Sequence, residues 1–184
     1  MLHLQRIHTH HPHYPFVEAL LHSAFPEAER RDDLEQREQT DHHPLFHCYL
    51  VTDTDGKTEE QPVGLVTVWR LEGFSYVEHL ATSATVRNQG YGRRILEALR
   101  KEVQGLLILE VEPPTDEMSH RRIGFYRRCG FSLCELPYLQ PPYRKGDHPF
   151  PLLLMFDGAD SIDASFDHIR RSIYRIVYRV ADAL

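Results

Sequence analysis

The sequence predicts a mixed α/β fold on a central sheet, and three observations carry that expectation. The apolar period switches back and forth between about 2 and about 3.6 residues, so strands and helices interleave. Residues 46–82 hold three strand patterns joined only by short turn-rich connections, which makes them an antiparallel meander. A helical pattern over 90–103 then leads into the apolar run 106–111, and a strand reached through a helix lies parallel to the strand it left. At 184 residues the chain can bury one full core and is too short for two ordinary domains.

Leu2, Leu4 and Ile7 mark a short first strand. Residues 14–25 place Phe16, Val17, Leu20, Leu21 and Phe25 on one helical face, and Pro26 ends that helix. A charged second helix over about 32–39 runs into His42-His43-Pro44, where the proline breaks the pattern. Strands follow at 46–52, 63–71 and 74–82, with turns at residues 53–56 and at Glu72-Gly73. The helix 90–103 closes at Gly105, the strand 106–111 stops at Pro113-Pro114, and a helix over 118–128 ends at Gly130 as a C′ glycine. Residues 131–136 and 151–156 read as the last strands, separated by an aromatic and proline-rich loop, 137–149.

Apolar residues make up 41% and charged residues 26%, a globular balance. The net charge of −6 argues against a nucleic-acid surface. No stretch approaches the roughly 20 apolar residues of a membrane span, and the polar N-terminus lacks a signal-peptide core, so a cytoplasmic protein with no membrane partner is expected. Cys48, Cys129 and Cys134 read as reduced core thiols. The thirteen histidines lack Cys-x-x-Cys or His-Glu-x-x-His companions, and no metal site is expected. Residues 27–60 hold eleven acidic against four basic side chains, whereas Arg121, Arg122, Arg127 and Arg128 crowd the later helix. An acidic flank would attract a cationic substrate and a basic one a phosphate-bearing ligand; the alternative for each is a solvated face.

The most informative segment is Arg87-Asn88-Gln89-Gly90-Tyr91-Gly92, between the strand 74–82 and a helix. A glycine-opened turn continued by the free N–H groups of a helix start makes a concave cradle for a pyrophosphate. Glycine at 90 and 92 lets phosphate approach the backbone, and Arg87, Arg93 and Arg94 add charge; the alternative is a basic loop before a helix. The dinucleotide fingerprint needs a third glycine where Ile95 stands, and the P-loop ending Gly-Lys-Ser/Thr is absent.

About thirty-five residues later comes Phe125-Tyr126-Arg127-Arg128-Cys129-Gly130-Phe131. Together, Arg-x-x-Gly-x-Gly after a strand and Tyr-x-x-x-Gly-Phe after a helix resemble the GNAT acetyltransferase superfamily, over roughly residues 45–156. The loop Tyr138-Leu139-Gln140-Pro141-Pro142-Tyr143, with Pro151 to Met155 downstream, is similar to a bacterial subgroup of these proteins. The resemblance implies the acyl-CoA N-acyltransferase fold over residues 1–158, followed by an extra helical segment, 159–184. It also implies acetyl-CoA as co-substrate, with Arg87, Asn88, Gln89, Gly90, Tyr91, Gly92 and Arg93 at its pyrophosphate.

Acetyl transfer to an amine of pKa near ~10.4 needs a base, a hydrogen-bond donor for the tetrahedral oxyanion, and an acid for the departing thiolate. The resemblance makes Tyr126 the acid and puts the oxyanion at backbone N–H groups of Leu80-Ala81-Thr82. Glu78 shares strand parity with Leu80 and Thr82 and is the expected base; Glu110 and Glu112 are its rivals, or hold the amine. Many family members have an asparagine seven residues before the tyrosine, where this chain has Ser119, so a hydroxyl replaces an amide at the coenzyme. Tyr138 and Tyr143 either line the acceptor pocket or belong to a loop stiffened by prolines. The expected activity is transfer to a primary amine of a small molecule or protein by direct attack in a ternary complex. The alternative is a non-catalytic acyl-CoA-binding module whose extra helix contacts a partner.

In the tail, Ile162, Phe166, Ile169, Ile173, Ile176 and Val180 follow a 4-3-4-3-4 spacing, an a/d seam with Arg170, Arg171, Arg175 and Arg179 on the other side. Such a seam has to be buried. It either crosses its own domain or meets the same helix of a second subunit, and the expectation is a homodimer.

Overall fold

Each helix starts and stops where its local chemistry says it should. In the computed structural model, which describes residues 1–54 and 60–181, α1 (Tyr14–Ala24) begins with Pro15 in its first turn, and α2 (Asp33–His42) is capped by the Asp32 carboxylate accepting from the Glu35 N–H. Helix α3 (Tyr91–Val103) buries Tyr91, Ile95, Leu96, Leu99 and Val103, while Arg93 and Glu97 pair across one turn of its exposed face. Helix α4 (Glu117–Arg128) opens with a capping box between Asp116 and Ser119 and ends before Gly130, whose φ of 95° supplies the left-handed C′ residue.

The strands are β1 (Leu2–Arg6), β2 (Phe46–Asp53), β3 (Gln61–Leu71), β4 (Phe74–Thr82), β5 (Leu107–Val111), β6 (Ser132–Leu133), β7 (Tyr138–Gln140) and β8 (Phe150–Asp157). They hydrogen-bond in the order β1-β2-β3-β4-β5-β8-β6, with β7 also on β8, in one mixed eight-stranded sheet. The turn expected at residues 53–56 lies partly outside the described residues. The proline-rich connection expected as loop contains β7, and β6 is only two residues long. These two form one interrupted edge along β8: Leu133 faces Met155, and after the break at Pro137, which has no N–H to donate, Tyr138 faces Leu152.

By contacts the chain divides into two compact units, Met1–Arg70 with Val77–Gln104, and Leu71–Tyr76 with Gly105–Leu184. The first holds β1 to β3, most of β4 and α1 to α3 around a core that includes Phe46, Leu50, Leu65, Trp69, Ile95 and Leu99. Asp53 fixes the start of α3 within it, accepting from Tyr91 Oη at 2.9 Å and from Arg94 at 2.7 Å. The second is built on β5, β8 and α4. Leu107, Ile108, Leu109 and Val111 are all buried, so β5 is covered on both faces rather than apolar on one and polar on the other.

The tail is α5 (Phe166–Ser172) continued by a π-helical turn, Ile173–Tyr178. Ile162, Phe166, Ile169 and Ile173 are buried within the single chain, so the seam that motivated the dimer needs no second subunit to cover it. Along this turn Tyr174, Val177 and Tyr178 are buried, and Ile176 sits half-buried. Arg179 closes the turn in the left-handed region at φ 56°.

Gly64 on β3 sits where a Cβ would lie 2.6 Å from the Ala81 carbonyl oxygen, a backbone atom that cannot swing aside. Gly64→Ala is expected to destabilise the protein by about 1–3 kcal/mol, read as a lower urea midpoint.

Candidate active site

The loop after β4 has the geometry of an anion cradle. A 3₁₀ turn at Ala84–Val86 delivers the chain to Asn88 and Gly90, both left-handed, at φ 63° and 78°. Gly90 is the N-cap of α3 and provides no side-chain cap, so the leading N–H groups of the helix are left for another acceptor. A Cβ at Gly90 would meet nothing within 4 Å, which leaves the approach to the backbone open. Arg87 is exposed and makes no ion pair among the described residues. Three other motif side chains are occupied locally: Gln89 donates to the Thr85 carbonyl, Tyr91 to Asp53, and Arg93 to Glu97. Arg94, with its guanidinium 4.5 Å from the centre of the Tyr91 ring, is also held by Asp53.

On β4, Leu80 and Thr82 are half-buried and Ala81 is buried. Glu78 is placed differently from a base awaiting a proton. Its carboxylate is fully buried, 2.6 Å from Arg31 Nη2, and accepts from Trp69 Nε1 at 3.1 Å. Burial alone would raise this carboxyl, but the Arg31 charge, then His79 and the hydrogen bonds from Arg31 and Trp69, more than offset it and hold it below the usual range. The Arg31 guanidinium lies 5.2 Å from the Trp69 ring centre. His79 is kept neutral by burial, opposed only in part by Glu78; its Nε2–H donates to the Glu29 carbonyl and its Nδ1 accepts from Thr67 Oγ1. Arg31 follows a 3₁₀ turn, 47 positions before Glu78, and carries no local signal of its role.

In the second unit, Tyr126 on α4 is wedged edge-on between Phe125 and Phe131, with ring centres 5.1 and 5.7 Å away. Its hydroxyl makes no hydrogen bond among the described residues, and desolvation pushes its pKa up to about 12. The Ser119 hydroxyl is spent in the capping box: it donates to the Asp116 carbonyl at 2.9 Å and accepts from the Asp116 N–H at 3.1 Å. That helix start occupies the group expected to replace the family asparagine.

Three of the residues expected at the acceptor come together. Leu154 on β8 faces Glu110 on β5, and Leu152 faces Tyr138 on β7. Partners directly opposite share a face, so Glu110, Tyr138 and Gln140 all project to the same side. Tyr138 Oη donates to Glu110 Oε1, and Tyr178 Oη donates to Glu110 Oε2 at 3.0 Å. The Tyr143 ring packs on Tyr178 at 5.0 Å. Tyr76 and Gln140 complete the group, at 3.3 and 2.8 Å from Tyr178 Oη. Glu112 lies apart, exposed and paired with Arg122 at 2.9 Å. Sequence reasoning missed Tyr178, although the four-residue spacing of Tyr174 and Tyr178 was a readable signal beside the isoleucine seam. Among the described residues no three His, Cys, Asp or Glu side chains group as metal ligands, and no helix is long and apolar enough to cross a membrane.

The glycine turn before α3 and the tyrosine on α4 are the two motifs that resemble the GNAT acetyltransferases. The model of the Acetyltransferase (GNAT) family matches residues 14–131, and the chain belongs to that family. A solved structure from Bacteroides thetaiotaomicron, described as a GNAT-family acetyltransferase, is 42% identical, with a TM-score of 0.91 over 97% of this chain and 99% of that one. Two others share the fold alone. The ribosomal-protein-S18-alanine N-acetyltransferase of Escherichia coli has TM-score 0.57 and 18% identity, covering 85% of this chain and 93% of its own. Arabidopsis thaliana NAA60 in complex with a bisubstrate analogue has TM-score 0.63 and 16% identity, covering 87% and 100%. No curated protein sequence matches the chain.

Arg31→Met would leave the Glu78 carboxylate buried without its cation, an expected loss of about 3–5 kcal/mol at pH 7. In the wild type, Glu78 and His79 both sit below their unfolded values, so stability is held above about pH 6.5 and falls as acid protonates the unfolded chain first. Without Arg31 the largest opposition to burial is gone and the carboxyl rises, so the deficit of the variant should shrink between pH 7 and pH 5. Urea unfolding at the two pH values measures both effects.

Proposed function

We propose that this protein is an N-acetyltransferase that moves the acetyl group of acetyl-CoA onto a primary amine by direct attack. The observation that carries the reading is the uncapped, left-handed Gly90 turn in front of α3, with the exposed Arg87 beside it. Its backbone N–H groups and the helix dipole suit a pyrophosphate, and the arginine adds the pairing charge. The bisubstrate analogue bound to the Arabidopsis neighbour fits a reaction in which both substrates are held at once.

In this reading the amine nitrogen attacks the acetyl carbon, and the tetrahedral oxyanion takes hydrogen bonds from backbone N–H groups in the stretch Leu80-Ala81-Thr82. The C–S bond breaks, and Tyr126 gives its proton to the CoA sulfur. Burial raises the phenol to about 12, so it enters the reaction protonated, with its proton available to the departing sulfur. The ammonium proton goes to a carboxylate. Glu78 is paired with Arg31 and Glu112 is exposed and paired with Arg122, so the role passes to Glu110, which accepts from the phenols Tyr138 and Tyr178. Tyr138 and Tyr143 then sit at the acceptor end. The acceptor is a small amine or an exposed amine of a protein, and the cytoplasm is the proposed compartment.

The test is a panel of n-butylamine, phenethylamine, spermidine and a peptide with N-terminal alanine, followed by release of free CoA thiol. Transfer to at least one is expected; no transfer to any would count against the reading. Tyr126→Phe should lower kcat by about 10²-fold with acetyl-CoA affinity unchanged, and an unchanged kcat would return Tyr126 to a packing role. Gly90→Asp, a residue that tolerates left-handed backbone, should weaken acetyl-CoA binding by about tenfold or more in calorimetry.

A further inference from the structure

The C-terminal π turn does something the family fold does not require: it carries a phenol to the acceptor-side carboxylate. Tyr178 Oη is the hub of the group, 3.0 Å from Glu110 Oε2, 2.8 Å from Gln140 Nε2, 3.3 Å from Tyr76 Oη and 3.5 Å from Tyr143 Oη. The direction of these bonds is set by what each group can do. The Gln140 amide N–H donates into the phenol oxygen, so the single Tyr178 proton is free to point at Glu110, which as a carboxylate only accepts. Tyr138, on the neighbouring edge strand, donates to the other oxygen. Both carboxylate oxygens thus carry a directed donor, which fixes the side-chain rotamer.

Helix register brings both phenols of the tail to one side. Tyr174 and Tyr178 lie four residues apart, so they share a helix face and turn inward together. The widened turn places 173, 174, 177 and 178 inside together. Tyr174 Oη ties the same turn to the Leu139 carbonyl, between the two β7 residues that face Glu110.

We propose that Tyr178 is a positioning residue for Glu110, so that the C-terminal extension completes the acceptor side of the site. The phenol holds the carboxylate in place and favours its charged form, ready to take the proton of the attacking amine. This rests on the reading that Glu110 accepts that proton.

The test compares pH profiles of kcat/KM for the panel amine turned over fastest, at saturating acetyl-CoA, in wild type, Tyr178→Phe and Tyr174→Phe. Losing a donor to the charged form raises the carboxyl pKa, so the acidic limb should move up by about one pH unit in Tyr178→Phe, with the KM for acetyl-CoA unchanged. Gln140→Leu should move it the same way by less. Tyr174→Phe disturbs the same turn without touching Glu110 and should leave the limb in place while lowering thermal stability. A ¹³C carboxyl NMR titration of Glu110 reads the same shift without turnover. An unmoved limb in Tyr178→Phe, or an equal move in Tyr174→Phe, overturns the proposal; so does an unmoved Glu110 titration. A wild-type enzyme inactive on the whole panel overturns the acetyl-transfer reading together with this one, whereas an active enzyme with an unmoved limb overturns this one alone.

Discussion

A carboxylate removed from water must be answered by donors, and the donors chosen decide what it can do. Three carboxylates illustrate this. Asp53 is met by Tyr91 and Arg94 and becomes an anchor for the first turn of α3. Glu78 is met by a guanidinium and an indole N–H, which stabilise its charged form. Glu110 is met by two phenols, donors that carry no charge of their own at neutral pH. The glycine turn depends on the first of these, since an unanchored α3 could not hold its leading N–H groups in a fixed cradle.

Strand β8 does for the second unit what Asp53 does for the first. It is bonded to β5 on one side and to the interrupted β6 and β7 on the other, so its register sets which residues of three strands share a face. A slip of one residue at β7 would send Tyr138 and Gln140 to the opposite side and bring Leu139 inward. The break at Pro137 separates β7 from β6 and lets it take the register that serves Glu110.

The fold was largely legible because its signals are local. The period of β2 to β4, the apolar face of α3 and the glycine after α4 are each visible within a dozen residues, and the structure places these elements within a residue or two of the expectation. The two family motifs likewise declared the family whose model matches the chain. What was not legible depends on distance or on register. Arg31 lies far from Glu78 in a segment whose charges look like a solvated face, so the expected base could not be recognised as half of a buried pair. Ser119 could be read only as a substitute for asparagine until the capping box showed its hydroxyl in use. The isoleucine spacing of the tail implied a continuous α-helix, and nothing in the composition of 173–178 announces the wider π turn there.

The three cysteines are all buried as free thiols. Burial pushes the Cys48 thiol up to about 12, and raises Cys134 as well. Thiolate is the species that attacks a disulfide reagent, so burial and these raised values slow Cys48 and Cys134 toward one. A free-thiol assay of the proposed reaction would carry little background from these two sulfurs. The same burial makes labelling a clock for opening of the core: each sulfur that reacts without substrates present records a molecule that has exposed its interior, and the rate at which the three appear reports kinetic stability under the assay's own conditions.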